Sequence, residues 1–67
     1  MPIYRLYNLS PAGLIAGPPE DFEAADDVVA IKRMNDAAKA GPDGHGYELW
    51  ERARRIAVLA PDRKRAQ

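Results

Sequence analysis

The sequence predicts a small α+β domain in the order strand, strand, helix, strand, strand, with one helix packed on one face of an antiparallel sheet. Three observations lead there. A run of bulky residues, Ile3-Tyr4-Arg5-Leu6-Tyr7, opens the chain. Apolar side chains recur at spacings of three and four between Asp26 and Gly41, the period of a helix. Two β-rich runs, residues 47–50 and 55–59, close the domain with a short polar break between them.

Residues 2–9 form the first strand, in which alternation sets Arg5 on the opposite face from Tyr4 and Leu6. The stretch from Asn8 to Gly13 carries an asparagine, a Ser-Pro step and a glycine, the chemistry of a hairpin connection, so Leu14, Ile15 and Ala16 are expected to return as the second strand. Gly17-Pro18-Pro19 interrupts it, because consecutive prolines cannot donate ladder hydrogen bonds. The helix is placed at 27–40, with Asp26 as N-cap, Asp27 at the positive end of the helix dipole and Gly41-Pro42 as the stop. Its inward stripe is then Val28, Ile31, Met34 or Asn35, and Ala38. Starting the helix at Phe22 would spread apolar residues around most of its circumference, so Phe22 and Ala24 are read as an extended continuation that enters the core.

For the closing hairpin, a loop made of Arg52 and Ala53 pairs Trp50 with Arg55, Leu49 with Ile56, Glu48 with Ala57 and Tyr47 with Val58. A four-residue loop with the same pairing is the alternative, since Arg52-Ala53 lacks the asparagine or glycine that two-residue turns favour. The expected core gathers the helix stripe against Tyr4, Leu6, Leu14 or Ile15, Leu49, Ile56 and Val58. The other sheet face carries Ile3, Tyr7 and Trp50 beside Arg5 and Arg55, with no second helix to cover it.

With 67 residues, 46% hydrophobic and 30% charged, the chain supports one thin core. The reading assigns residues 1–61 to a single domain and 62–67 to a short, flexible basic tail. A domain of this size buries roughly 60% of its unfolded surface and holds about 3–5 kcal/mol of stability, which makes a second copy a natural source of support. The absence of cysteine excludes disulfides, thiolate metal sites and cysteine nucleophiles.

Ten basic and ten acidic residues cancel, so no global field gathers nucleic acid or anionic lipid. The distribution is uneven: five acids lie between Glu20 and Asp27, and Arg52, Arg54, Arg55, Arg63, Lys64 and Arg65 crowd the end. Such opposed patches suit the meeting of two copies. The start, Met-Pro-Ile-Tyr-Arg, is not a basic leader before an apolar core, and no apolar run approaches the roughly 20 residues of a bilayer span, so the expected compartment is the cytoplasm and no membrane partner is expected.

Candidate chemistry is sparse. His45, the single histidine, stands between glycines near Asp43 and Glu48, but without the spacing of a metal set, and reads as a turn residue. The loop from Gly41 to Gly46 lacks the lysine and hydroxyl residue of a phosphate loop and leads into a strand, so it reads as a connector. The pairs Glu20/Asp21 and Asp26/Asp27 read as surface and capping carboxylates. Ser10 precedes a proline in a turn with no base partner in sight. No catalytic residue, metal ligand or cofactor site is therefore assigned, and no enzymatic activity is expected. Tyr7, Trp50 and Arg55 are the candidate contact residues: two aromatics supply apolar area and an arginine orients the patch, the residue types enriched at binding hot spots. The expected function is a protein-interaction module or homodimer, the partner being a second copy or another protein. The alternative is a single-stranded nucleic-acid binder that stacks bases on the aromatic and arginine face.

The outline of Ile3-Tyr4-Arg5-Leu6-Tyr7, then Phe22-Glu23-Ala24-Ala25-Asp26-Asp27, then Gly44 to Trp50 and Arg55 to Leu59, resembles small uncharacterised proteobacterial proteins grouped as a domain of unknown function. The resemblance spans most of residues 2–60 and implies a hairpin–helix–hairpin fold. It implies no reaction, ligand or site residue. Where those proteins commonly carry glycine or asparagine near the closing turn, this chain has Glu51-Arg52-Ala53-Arg54.

Overall fold

The computed structural model describes residues 1–41 and 44–61. The elements are β1 (Ile3–Leu9), β2 (Glu20–Glu23), α1 (Asp27–Ala40), β3 (Gly46–Glu51) and β4 (Arg54–Leu59). They form the expected ββαββ fold: one antiparallel sheet in the order β2-β1-β3-β4, with α1 packed against one face. The basic tail, residues 62–67, lies outside the described residues.

The second strand is not where the sequence placed it. Leu14-Ile15-Ala16 contributes only a single bridge, Ile15 opposite Leu9, plus an Ala16 N–H donated to the Asn8 carbonyl at 2.7 Å. The chain then leaves the sheet at Gly17-Pro18-Pro19, as two prolines require, and rejoins β1 through β2. Leu14 and Ile15 are 70% and 61% exposed and so are not core residues. Phe22 and Ala24 do enter the core as an extended segment.

Helix α1 has the expected bounds. Asp26 is its N-cap, its side chain accepting the Val29 N–H at 3.0 Å. The inward stripe, however, is Ala30, Ile31, Met34, Ala37 and Ala38, while Val28 is 75% exposed. At about 100° per residue, Val28 sits about 120° around the helix from Met34 and about 160° from Ala30, the two buried residues of the stripe. Alanine at position 30, fully buried, lets the first turn lie close to the sheet.

The closing hairpin uses the two-residue loop Arg52-Ala53, and Trp50 pairs with Arg55 as expected. Beyond that pair the expected register fails. A β-bulge leaves Ile56 unpaired, so Leu49 faces Ala57, Glu48 faces Val58 and Tyr47 faces Leu59. The bulge turns Ile56, Ala57 and Leu59 toward the core and moves Val58 to the opposite, exposed side. In the core, Tyr4 and Phe22 stack with centroids 5.9 Å apart, and Leu6, Met34, Tyr47 and Leu49 fill the remainder.

Candidate functional site

One sheet face is covered by α1 and the other is not, and the division follows from strand alternation. On β1, Tyr4 and Leu6 point to the helix; Ile3, Arg5 and Tyr7 point away and line a groove of about 590 Å³ on the open face. Ile15, Trp50 and Arg52 line the same groove. All three candidate contact residues belong to this face. Tyr7 and Trp50 line the groove, whereas Arg55 stands beside Trp50 on the edge strand β4, outside the lining.

The polar groups at the centre of the face are paired with one another. Arg5 donates two hydrogen bonds to Asp21, Nε to Oδ1 at 2.8 Å and Nη2 to Oδ2 at 3.1 Å. That donation holds the Asp21 carboxyl below the ordinary aspartate range and the guanidinium above its own. The Trp50 indole Nε1–H donates to Glu48 Oε1 at 3.0 Å, two residues along the same strand. Trp50 and Arg55, though cross-strand partners, form no cation–π contact among the described residues, whereas Arg33 lies over Phe22, 4.7 Å from the ring centroid.

The other chemistry-bearing residues take structural roles. Asp26 caps α1, and Asp27 accepts the Tyr4 hydroxyl at 2.8 Å and two Arg54 hydrogen bonds at 3.0 and 3.3 Å. Those donors, Arg54 foremost, keep the Asp27 carboxyl below its usual range. Burial, and then the bond to Asp27, push the Tyr4 phenol up to about 12. Glu20 and Asp21 diverge, Glu20 reaching Arg33 at 3.4 Å and Asp21 reaching Arg5. His45 is half-buried with Nδ1 3.0 Å from Asn8 Oδ1, so it ties its loop to β1. A Cβ at Gly46 would collide with the Leu59 carbonyl and Pro61, so this glycine serves close backbone approach. Asp43 lies outside the described residues. Among the described residues no three histidine, cysteine, aspartate or glutamate side chains converge as a metal-binding set, and no helix is long and apolar enough to cross a membrane.

Sequence reasoning missed Asp21 and Arg52 as members of this face. Asp21 was within reach: once Phe22 and Ala24 are assigned inward, the residues between and before them alternate outward. Arg52 carried no such signal, because it sits in the hairpin loop with a φ of 58°, a left-handed conformation uncommon for arginine. Comparison with family models, curated proteins and solved structures gives no match to the chain.

Proposed function

We propose that this chain is a non-catalytic protein-interaction module that docks through the open face of its sheet, with Tyr7 and Trp50 as apolar anchors and Arg55 at the rim. The observation that carries this reading is the groove itself: Ile3, Tyr7, Ile15 and Trp50 line one continuous surface opposite the helix. Ile3, Ile15 and, beyond the groove, Val58 are about half or more exposed, an unusual amount of apolar side chain to leave in water on one face. Pairing of Arg5 with Asp21 and of Trp50 with Glu48 favours a protein partner, because it pre-forms the polar groups and reduces the ordering cost of docking.

Trp50 is the sole tryptophan and reports directly on this face. Light scattering and tryptophan emission across a concentration series are expected to move together, with mass rising as the emission shifts to shorter wavelength. Trp50→Ala is expected to weaken association about thirtyfold or more, the ~2 kcal/mol threshold of a hot spot, with an unchanged far-ultraviolet circular dichroism spectrum. Single-stranded nucleic acid is the competing occupant, favoured by Arg52 and Arg55 flanking Trp50. Salt-sensitive quenching of Trp50 by an oligothymidine, in a chain that stays monomeric, would replace the protein-docking reading with that one.

A further inference from the structure

On the open face the side chains fall into rungs that cross the strands. One rung runs Asp21, Arg5, Trp50 and Arg55 from β2 to β4. Toward the β3–β4 turn the next rung begins with Glu23 opposite Ile3, and Arg52, two residues beyond Trp50, lies at a similar height. On the other side lies Tyr7, Glu48 and Val58. The acids Asp21 and Glu23 therefore stand at the β2 edge, and Arg52 and Arg55 stand at the β4 side. Among the described residues Glu23, Arg52 and Arg55 form no salt bridge within the chain.

We infer that the occupant of this face is a second copy of the chain, related by a two-fold axis that runs along the strands between β1 and β3. This deepens the docking reading above and rests on it. Rotation about such an axis lays β2 of one copy over β4 of the other without changing height along the strands. Asp21 then lies over Arg55 and Glu23 over Arg52, each pair occurring twice by symmetry. The other in-plane axis, across the strands, stacks β2 on β2 and β4 on β4 and sets like charges against each other. Aligned sheets cross at about 30°, an offset that long arginine side chains absorb. At the centre, Trp50 of each copy meets Arg5 of the other, whose guanidinium is already fixed by two hydrogen bonds to Asp21. An edge-to-edge arrangement of β2 with β4 would also join opposite charges, but it is head-to-tail and does not stop at two copies.

Four strands about 4.8 Å apart and six residues at about 3.3 Å give a face roughly 19 by 20 Å. That is small beside the roughly 800 Å² per partner of standard interfaces, so the dimer is weak, concentration-dependent and responsive to its charges. Sedimentation equilibrium of the full chain at low salt tests the geometry with Glu23→Arg, Arg52→Glu and their equimolar mixture. The wild-type mass is expected to level off at two chains and to fall as salt screens the edges. Each single variant places like charges together twice and is expected to dimerise about tenfold more weakly, while the mixture, which restores both pairs, returns to within about threefold of wild type. Both positions are exposed, so matching circular dichroism spectra verify the fold. Single variants that dimerise as well as wild type overturn the axis, and masses growing past two chains overturn the face-to-face geometry. In either case the docking face stands if Trp50→Ala still weakens association about thirtyfold or more. A wild-type chain that is monomeric at every concentration overturns the second copy itself.

Discussion

The two faces of this sheet are built from the same strands, in alternate residues, yet they are organised by different forces. The helix side gathers Tyr4, Leu6, Phe22, Tyr47 and Leu49 into a dry core with no buried charged side chain among the described residues. The open side interleaves Ile3, Tyr7 and Trp50 with Arg5, Asp21 and Glu48. One helix covers one face only, and the polar pairs Arg5–Asp21 and Trp50–Glu48 keep the other compatible with water. If the first face sets stability and the second, as proposed, sets association, substitutions on the two should separate cleanly.

The largest separation is expected between Leu49→Ala and Trp50→Ala, adjacent residues on opposite sides of β3. Leu49 is fully buried, and its truncation should cost about 3 kcal/mol. Set against a total of about 3–5 kcal/mol, that leaves only about 0–2 kcal/mol, so up to about half of the molecules are unfolded at room temperature. Trp50→Ala, outside the core, should leave the unfolding free energy of the monomer, measured by urea titration, within about 1 kcal/mol of wild type. Equal destabilisation by both would mean that the open face is part of the fold.

A second separation is expected in pH. Tyr4 holds its proton more tightly folded than unfolded, with its value pushed from 10.0 to about 12 by burial and by the bond to Asp27. The stability this adds is complete below pH 10 and is lost as pH rises toward 12. Asp27 and Asp21 work in the opposite direction: both are held low by arginine, so their contribution is present above the ordinary carboxylate value of about 4 and is lost as pH falls through their depressed folded values. Urea midpoints measured against pH should show both limbs. Tyr4→Phe should flatten the alkaline limb, whereas Asp21→Asn, on the open face, should reduce only the acid limb.

The helix bounds, its Asp26 cap, the entry of Phe22 and Ala24 into the core and the Trp50–Arg55 pair were legible because each rests on a local rule: a cap, a helical stop, an alternation. The displaced second strand was only half legible. Gly17-Pro18-Pro19 announces a break, but whether pairing ends there or resumes beyond it depends on β1 having free ladder groups opposite residues 20–23, which is a tertiary fact. The bulge at Ile56 has the same character. The run Ile56-Ala57-Val58-Leu59 is apolar throughout, and strict alternation would bury one pair of residues or the other. The extra residue turns three of the four inward, a gain visible only once Leu49, Met34 and the helix are in place. Val28 was misassigned because it stands three residues before Ile31, in helical spacing, whereas the face that meets the sheet is centred on Ala30 and Met34. On the open face, Tyr7 and Trp50 were legible from alternation alone, and Arg52 was not.

Arg52 offers the smallest and most discriminating test, because the two properties should move in opposite directions there. Its φ of 58° lies in the region that glycine adopts freely and a side-chain-bearing residue does not, so Arg52→Gly should relieve strain and stabilise the monomer by roughly 0.5–1 kcal/mol. The same change removes the cation that lies over Glu23 in the two-fold arrangement, so association should weaken by a few-fold even as the urea midpoint rises. Arg52→Lys retains both the charge and the side chain, and should leave both quantities near wild type. If Arg52→Gly instead raises stability with association intact, the arginine is a tolerated turn residue. Weaker association in a more stable monomer would mean that the hairpin retains an unfavourable local conformation to present a charge on the open face.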